Sequence, residues 1–78
     1  MKLIHQVEIL KEDYELKYPS RQPKYLIMSP AEAGQLAYEV GIEEGLSEED
    51  AVANNLTYFN NMFICIVFDR GFNKLEVA

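Results

Sequence analysis

The sequence predicts an α+β domain in which a mainly antiparallel four- to five-stranded sheet carries two helices on one face, in the order β-β-β-α-α-β-β. Two capped helical segments in the middle of the chain, with short apolar or alternating segments on either side, indicate this fold. The length predicts one domain over residues 1–78, because compact domains rarely fall below about 50 residues. A composition of 49% hydrophobic and 26% charged residues is typical of a globular protein and excludes a disordered or collagen-like chain.

The N-terminal segment fits two patterns. Spacings of four, three and four are typical of one helical face, and they relate Leu3, Val7, Leu10 and Tyr14. Against a helix, residues 13–18 alternate strictly between polar and apolar, and several apolar residues before them are β-branched. We favour two strands, about 2–10 and 13–18, joined near Lys11 and Glu12. In that interpretation Tyr14, Leu16 and Tyr18 face the core.

The middle of the chain begins with a loop over residues 19–23, which contains two prolines, and a short apolar strand, Lys24–Met28. A helix over residues 30–44 follows, with Ser29 as N-cap, Pro30 in the first turn and Glu32 completing a capping box. Gly34 lies beside the apolar stripe of this helix, which predicts a close backbone approach to the sheet. Gly41 ends the helix early, or Gly45 ends it later.

A second helix is predicted over residues 48–60, capped by Ser47 and continued by Val52, Leu56 and Phe59 on one face. Asn60 and Asn61 then offer a left-handed stop. The apolar segment Met62–Phe68 predicts a strand covered on both faces. Asp69-Arg70-Gly71 predicts a tight turn, after which Phe72–Val77 returns as the partner strand.

Charge is distributed unevenly along the chain. Seven Lys and Arg against thirteen Asp and Glu give a net charge of −6, and no Lys or Arg occurs from residue 25 to residue 69. A segment of one sign repels nucleic acid and membrane surfaces and attracts basic protein surfaces. The predicted partner-binding residues are the acids along the two helices: Glu32, Glu39, Glu43, Glu44, Glu48, Glu49 and Asp50.

Residues that could carry chemistry are few. His5 and Cys65 are single, so they cannot supply a zinc site, and the acids lack the spacing of a calcium loop. Cys65 lies within an apolar strand, which predicts a buried structural thiol, and His5 alternates with Leu3 and Val7 as a partly buried structural residue. No glycine-rich phosphate loop is present. We therefore expect no enzyme activity, no cofactor and no metal.

Two functions of different classes fit these observations. The first is a small acidic protein-binding module, an inhibitor or regulator that docks its acidic helical face on a basic partner, such as a nucleic-acid-handling protein, by mimicking nucleic acid. The alternative is a self-assembling homodimer that buries an uncovered sheet face and holds a small ligand at the subunit boundary. No apolar run approaches the roughly 20 residues of a membrane span, and the start of the chain does not resemble a signal peptide, which predicts a cytoplasmic protein.

Overall fold

A computed structural model describes residues 2–69 and 75–78 of the chain. Its elements in chain order are α1 (Leu3–Lys17), β1 (Tyr25–Met28), α2 (Pro30–Glu43), α3 (Glu48–Val52), β2 (Tyr58–Phe59), β3 (Met62–Ile66) and β4 (Glu76–Val77). The four strands form one sheet in the order β2-β3-β1-β4. The predicted α+β class is confirmed. The sheet is mixed, since β1 pairs with β3 in parallel and the other two pairings are antiparallel.

The two strands predicted for residues 2–10 and 13–18 are wrong, because this segment is the single helix α1. Leu3, Ile4 and Val7 are buried against the rest of the core, as the helical spacing required. By contrast Leu16, which the strand pattern placed in the core, is 79% exposed. The preference of β-branched residues for strands is a weak one. Burying an apolar stripe against α2 and the sheet outweighs it.

Both ends of α2 are formed as the sequence predicts. The hydroxyl of Ser29 accepts a hydrogen bond from the Glu32 amide at 3.2 Å, and the Glu32 carboxylate accepts one from the Ser29 amide at 3.1 Å. At the other end Gly45 adopts a φ of +91°. The Leu46 amide donates to the Gly41 carbonyl at 2.9 Å, and the Gly45 amide donates to the Ile42 carbonyl at 3.1 Å. These two bonds form a Schellman motif, in which Gly45 rather than Gly41 is the glycine that terminates α2, two residues after its last residue, Glu43.

The second predicted helix is much shorter than expected. Ser47 caps α3 by accepting from the Asp50 amide at 3.2 Å, but the helix ends at Val52 instead of continuing to Asn60. Leu56 and Phe59 still pack against the core, Leu56 from the irregular segment after α3 and Phe59 from β2. Asn60 and Asn61 have φ values of 54° and 65°, and they join Phe59 to its partner Met62. The predicted left-handed conformation therefore makes a two-residue hairpin turn of type I′ rather than a helix stop.

The C-terminal strand pairs differently from the prediction. β3 lies between β2 and β1, so both of its edges are occupied and β4 adds to the free edge of β1. Leu26 pairs with Val77 there in antiparallel register. Of the predicted turn only Asp69 is described. Arg70 and Gly71, like residues 72–74 of the predicted strand, lie outside the described residues.

The core lies on one face of the sheet. Helices α1 and α2 pack there against the inward residues of β1 and β3, forming a cluster of Leu3, Ile4, Val7, Leu26, Met28, Leu36, Val40 and Met62. Leu26, Met28 and Met62 have no exposed surface. Since side chains alternate along a strand, the intervening residues of β1 and β3 point to the opposite face.

Candidate functional site

The seven acids predicted to bind a partner have different structural roles. Glu32 belongs to the capping box of α2, so its carboxylate is engaged within the fold. Glu39 is engaged as well, in a contact that joins α2 to α1. The other five carboxylates lie on exposed residues where α2 ends and α3 begins. We call these five residues the acidic corner: Glu43, Glu44, Glu48, Glu49 and Asp50.

Glu39 caps the N-terminus of α1. Its two carboxylate oxygens accept hydrogen bonds from the backbone amides of Leu3 and Ile4, each at 3.1 Å. Helix α1 needs this contact, because its N-cap residue, Lys2, makes no side-chain cap and its first turn contains no acid. Gln35 donates a further hydrogen bond to Glu39 at 2.9 Å. The sequence prediction missed this role, since the partners lie 35 and 36 residues apart in the chain.

The surroundings of Glu39 favour its ionised form. Partial burial by itself raises the pKa of the carboxyl group, but hydrogen bonds from Gln35 and from the amides of Ile4 and Leu3, with the charge of Lys2 nearby, outweigh burial. The net effect lowers the pKa of Glu39 below its ordinary value of 4.5. Glu39 is therefore a negatively charged structural residue at neutral pH.

The acidic corner is held by tight backbone packing. A Cβ atom built on Gly41 would lie 3.2 Å from the Cα of Ala51, so the absence of a side chain lets α3 approach α2 closely. The side-chain amide of Asn54 donates to the Ala37 carbonyl of α2 at 2.8 Å, which anchors the chain just after α3. Gly34, where the sequence predicted the close approach, faces open space. The five carboxylates are thus displayed from a fixed joint between two helices.

Within the described part of the chain, no cation pairs with the acidic corner. Its five side chains make no ion pair or hydrogen bond with any residue of 2–69 or 75–78. Glu48, Glu49 and Asp50 occupy the first turn of α3, where the positive end of the helix dipole stabilises negative charge. An exposed group of like charges attracts a cationic surface over distances of about one Debye length, roughly 8 Å at 0.15 M salt.

The sheet has an outward face that carries an aromatic row. Tyr25 of β1 lies opposite Phe63 of β3, and Phe63 lies opposite Tyr58 of β2. Their ring centroids are 6.5 Å and 5.0 Å apart. Phe63 is 59% exposed, Tyr58 48% and Tyr25 46%. We call this surface the open sheet face: Tyr25, Ile27, Tyr58, Phe63 and Cys65.

Phe63 is exposed, whereas the sequence predicted that both faces of its strand would be covered. Cys65 on the same face is only half-buried and its thiol is free, so it is not the fully buried residue that the apolar run predicted. His5 is exposed on α1, because the helix turns it away from the stripe of Leu3 and Val7.

In residues 2–69 and 75–78 no three His, Cys, Asp or Glu side chains are grouped as metal ligands. Within those residues no helix has the length and apolar character that crossing a bilayer requires.

A third feature, which the sequence prediction missed, is a cavity at the C-terminal end of α1. Its volume is about 490 Å³. We call it the basic pocket, and its lining residues are Tyr14, Ser20, Arg21, Gln22, Lys24, Tyr25 and Ala78. The available indication was that five of the seven Lys and Arg precede residue 25. Because acids and bases are balanced along that segment, its charge pattern did not predict that Arg21 and Lys24 line one cavity.

No protein-family profile, curated protein or solved structure matches the chain.

Proposed function

We propose that this protein is a non-catalytic protein-binding module, an inhibitor or regulator that docks the acidic corner on a basic surface of its partner. The observation that carries the proposal is that five exposed carboxylates share one helix joint and have no cationic partner among the described residues. A nucleic-acid-handling protein is a fitting partner, because its Lys- and Arg-lined groove is built to receive closely spaced negative charges.

The close packing where α2 meets α3 favours a role of the acidic corner in binding over a role in solubility alone. Acids that only keep a protein soluble can lie anywhere on its surface, whereas these are held in place by the Gly41–Ala51 contact and the Schellman motif. Charges that are already positioned lose little conformational freedom when they meet a partner. Long-range attraction also raises the association rate, which suits a regulator that must find its target quickly. Our proposal leaves Glu32 and Glu39 out of the contact surface, since their carboxylates already accept hydrogen bonds at helix N-termini.

The test is a charge-reversal pair with a matched control. A partner recovered by pulldown at low salt is tested for binding kinetics against the wild type, Glu43→Lys/Glu44→Lys and Glu8→Lys/Glu12→Lys, across a salt series. Both double variants change the net charge equally, but Glu8 and Glu12 lie on the exposed side of α1. We expect the first pair to slow association about tenfold at low salt, with the difference shrinking as salt increases. The proposal is contradicted if both double variants reduce the association rate equally, or if the association rate of the wild type does not change with salt concentration.

The open sheet face favours a second function, self-association into a homodimer. An exposed apolar patch of this kind is typical of surfaces that another protein covers. Sedimentation equilibrium at increasing concentration measures the association directly, with Phe63→Gln as the test variant and Leu16→Gln as control. Leu16 is also an exposed apolar residue, but it lies on α1 away from this face. We expect Phe63→Gln alone to weaken the dimer; a wild-type protein that stays monomeric refutes this function.

A further inference from the structure

We infer that the basic pocket binds a small ligand that joins a planar ring to a phosphate group, of the size of a nucleoside monophosphate. This site is separate from the acidic corner and does not depend on the function proposed above. Its position, where the loop after α1 meets the start of β1, brings together residues from 14 to 25 and Ala78.

The first support is electrostatic. Arg21 and Lys24 line the basic pocket, and none of its lining residues has an acidic side chain, on a protein whose net charge is −6. Neither cation forms an ion pair with the described residues. The Arg21 guanidinium lies 5.9 Å from the centre of the Tyr18 ring, and the Lys17 ammonium lies 5.7 Å from the same ring centre. A neighbouring cavity shares Tyr14, Arg21 and Ala78 with the basic pocket, and Asp13 and Glu76 line that cavity instead. Two cations that line one pocket, with no ion-pair partner among the described residues, favour an anion there.

The second support is the shape and chemistry of the walls. A volume of about 490 Å³ is within the range of cavities that hold small molecules. Tyr14 and Tyr25 are among the lining residues, and an aromatic ring can stack on a planar ring; the Tyr25 ring also borders the open sheet face, 6.5 Å from the ring of Phe63. Ser20 and Gln22 add a hydroxyl and an amide that can form hydrogen bonds. Arginine suits phosphate because its planar guanidinium can donate two parallel hydrogen bonds to the oxygens.

The third support is that the walls are anchored by the backbone. The Lys24 and Tyr25 amides both donate to the Ala78 carbonyl, at 2.8 and 2.9 Å, and the Arg21 amide donates to the Tyr18 carbonyl at 2.9 Å. These bonds fix the loop that presents the two cations. A long nucleic acid is disfavoured as occupant, since many phosphates would be repelled by the net charge of −6. A ligand with a single phosphate carries too little charge for that repulsion to dominate.

The experiment titrates the intact protein with adenosine 5′-monophosphate, adenosine and inorganic phosphate separately, followed by backbone amide NMR shifts. We expect the monophosphate to shift the amides of residues 20–25 and to bind about tenfold more tightly than either half alone. Arg21→Gln and Lys24→Gln should each weaken its binding about fivefold or more, whereas the control Lys2→Gln, which removes one charge at the other end of α1, should change it less than about twofold.

Three results would overturn the inference. The first is no saturable shift with the monophosphate, and the second is equal weakening by Lys2→Gln and Arg21→Gln. The third is inorganic phosphate binding as tightly as the monophosphate, because the tyrosine wall would then contribute nothing. Arg21 and Lys24 are exposed, so the variants are expected to fold, and their unchanged NMR spectra elsewhere check this.

Discussion

Removing the Glu39 carboxylate should destabilise the whole domain, although Glu39 belongs to the group that the sequence assigned to partner binding. Glu39→Ala leaves the amides of Leu3 and Ile4 without their acceptor at the N-terminus of α1. Loss of an ordinary N-cap costs about 1 kcal/mol, and a charged acceptor of two amides is worth more, so we expect a loss of about 2 kcal/mol. Alanine is the best helix former, so the change in helix propensity cannot produce this loss.

The measurement is urea unfolding followed by far-ultraviolet circular dichroism, with thermal unfolding in parallel. For a domain of this size a loss of about 2 kcal/mol lowers Tm by about 10 °C. Glu39→Gln should lose about half as much, because its carbonyl oxygen still accepts one hydrogen bond without the negative charge. Glu43→Ala is the matched control, one turn further along α2 with an exposed side chain, and we expect it to change stability by less than about 0.5 kcal/mol.

The pH dependence gives a second, independent check. Because the folded-state pKa of Glu39 is lowered, its contribution to stability is complete above the ordinary carboxyl value of 4.5 and is lost as pH falls through the lower folded-state pKa. The difference in stability between wild type and Glu39→Ala should therefore shrink on acidification. If Glu39→Ala is as stable as Glu43→Ala at pH 7, or if the difference is the same at all acidic pH values, the capping role is refuted.

Three further predictions concern the helix joint, the hairpin and the thiol. Gly34→Ala should stabilise α2 by about 1 kcal/mol. In Gly41→Ala the new Cβ atom lies 3.2 Å from the Cα of Ala51, so in urea unfolding this variant should be less stable than Gly34→Ala by about 1–3 kcal/mol. Equal stabilities of the two variants would show that α3 does not pack closely on α2. Asn61→Val should lower stability by about 1–2 kcal/mol, because φ is 65° there, and Asn61→Gly should not; matching melting temperatures for the two variants contradict the turn assignment. Cys65→Ala should cost about 1 kcal/mol and leave partner binding intact, and loss of binding at unchanged melting temperature would show that the thiol contributes to function.

The sequence by itself determined the features that depend on neighbouring residues. The capping box of Ser29 and Glu32 and the cap of Ser47 were predicted and are present, and Gly45 was one of the two glycines predicted to end α2. Each depends on contacts between residues no more than five apart, so the local chain chemistry suffices to specify it. The strand at residues 25–28 was also predictable, because a short apolar run after a proline-containing loop has few alternatives.

Tertiary structure decided the features that depend on distant residues. Residues 3–17 carry both a helical and an alternating pattern, and the helix forms where its stripe can be buried on α2 and the sheet and where Glu39 can cap it. The parallel pairing of β1 with β3 likewise depends on the path of α2 and α3 between them, which no local pattern encodes. The dependence on distant residues also explains the result for the predicted site. Residue type and spacing singled out all seven acids. Only the fold separated the five exposed carboxylates of the acidic corner from those of Glu32 and Glu39, which accept hydrogen bonds at helix N-termini. A carboxylate has the same chemistry in both settings, and what differs is whether backbone amides from elsewhere in the chain are close enough to donate to it.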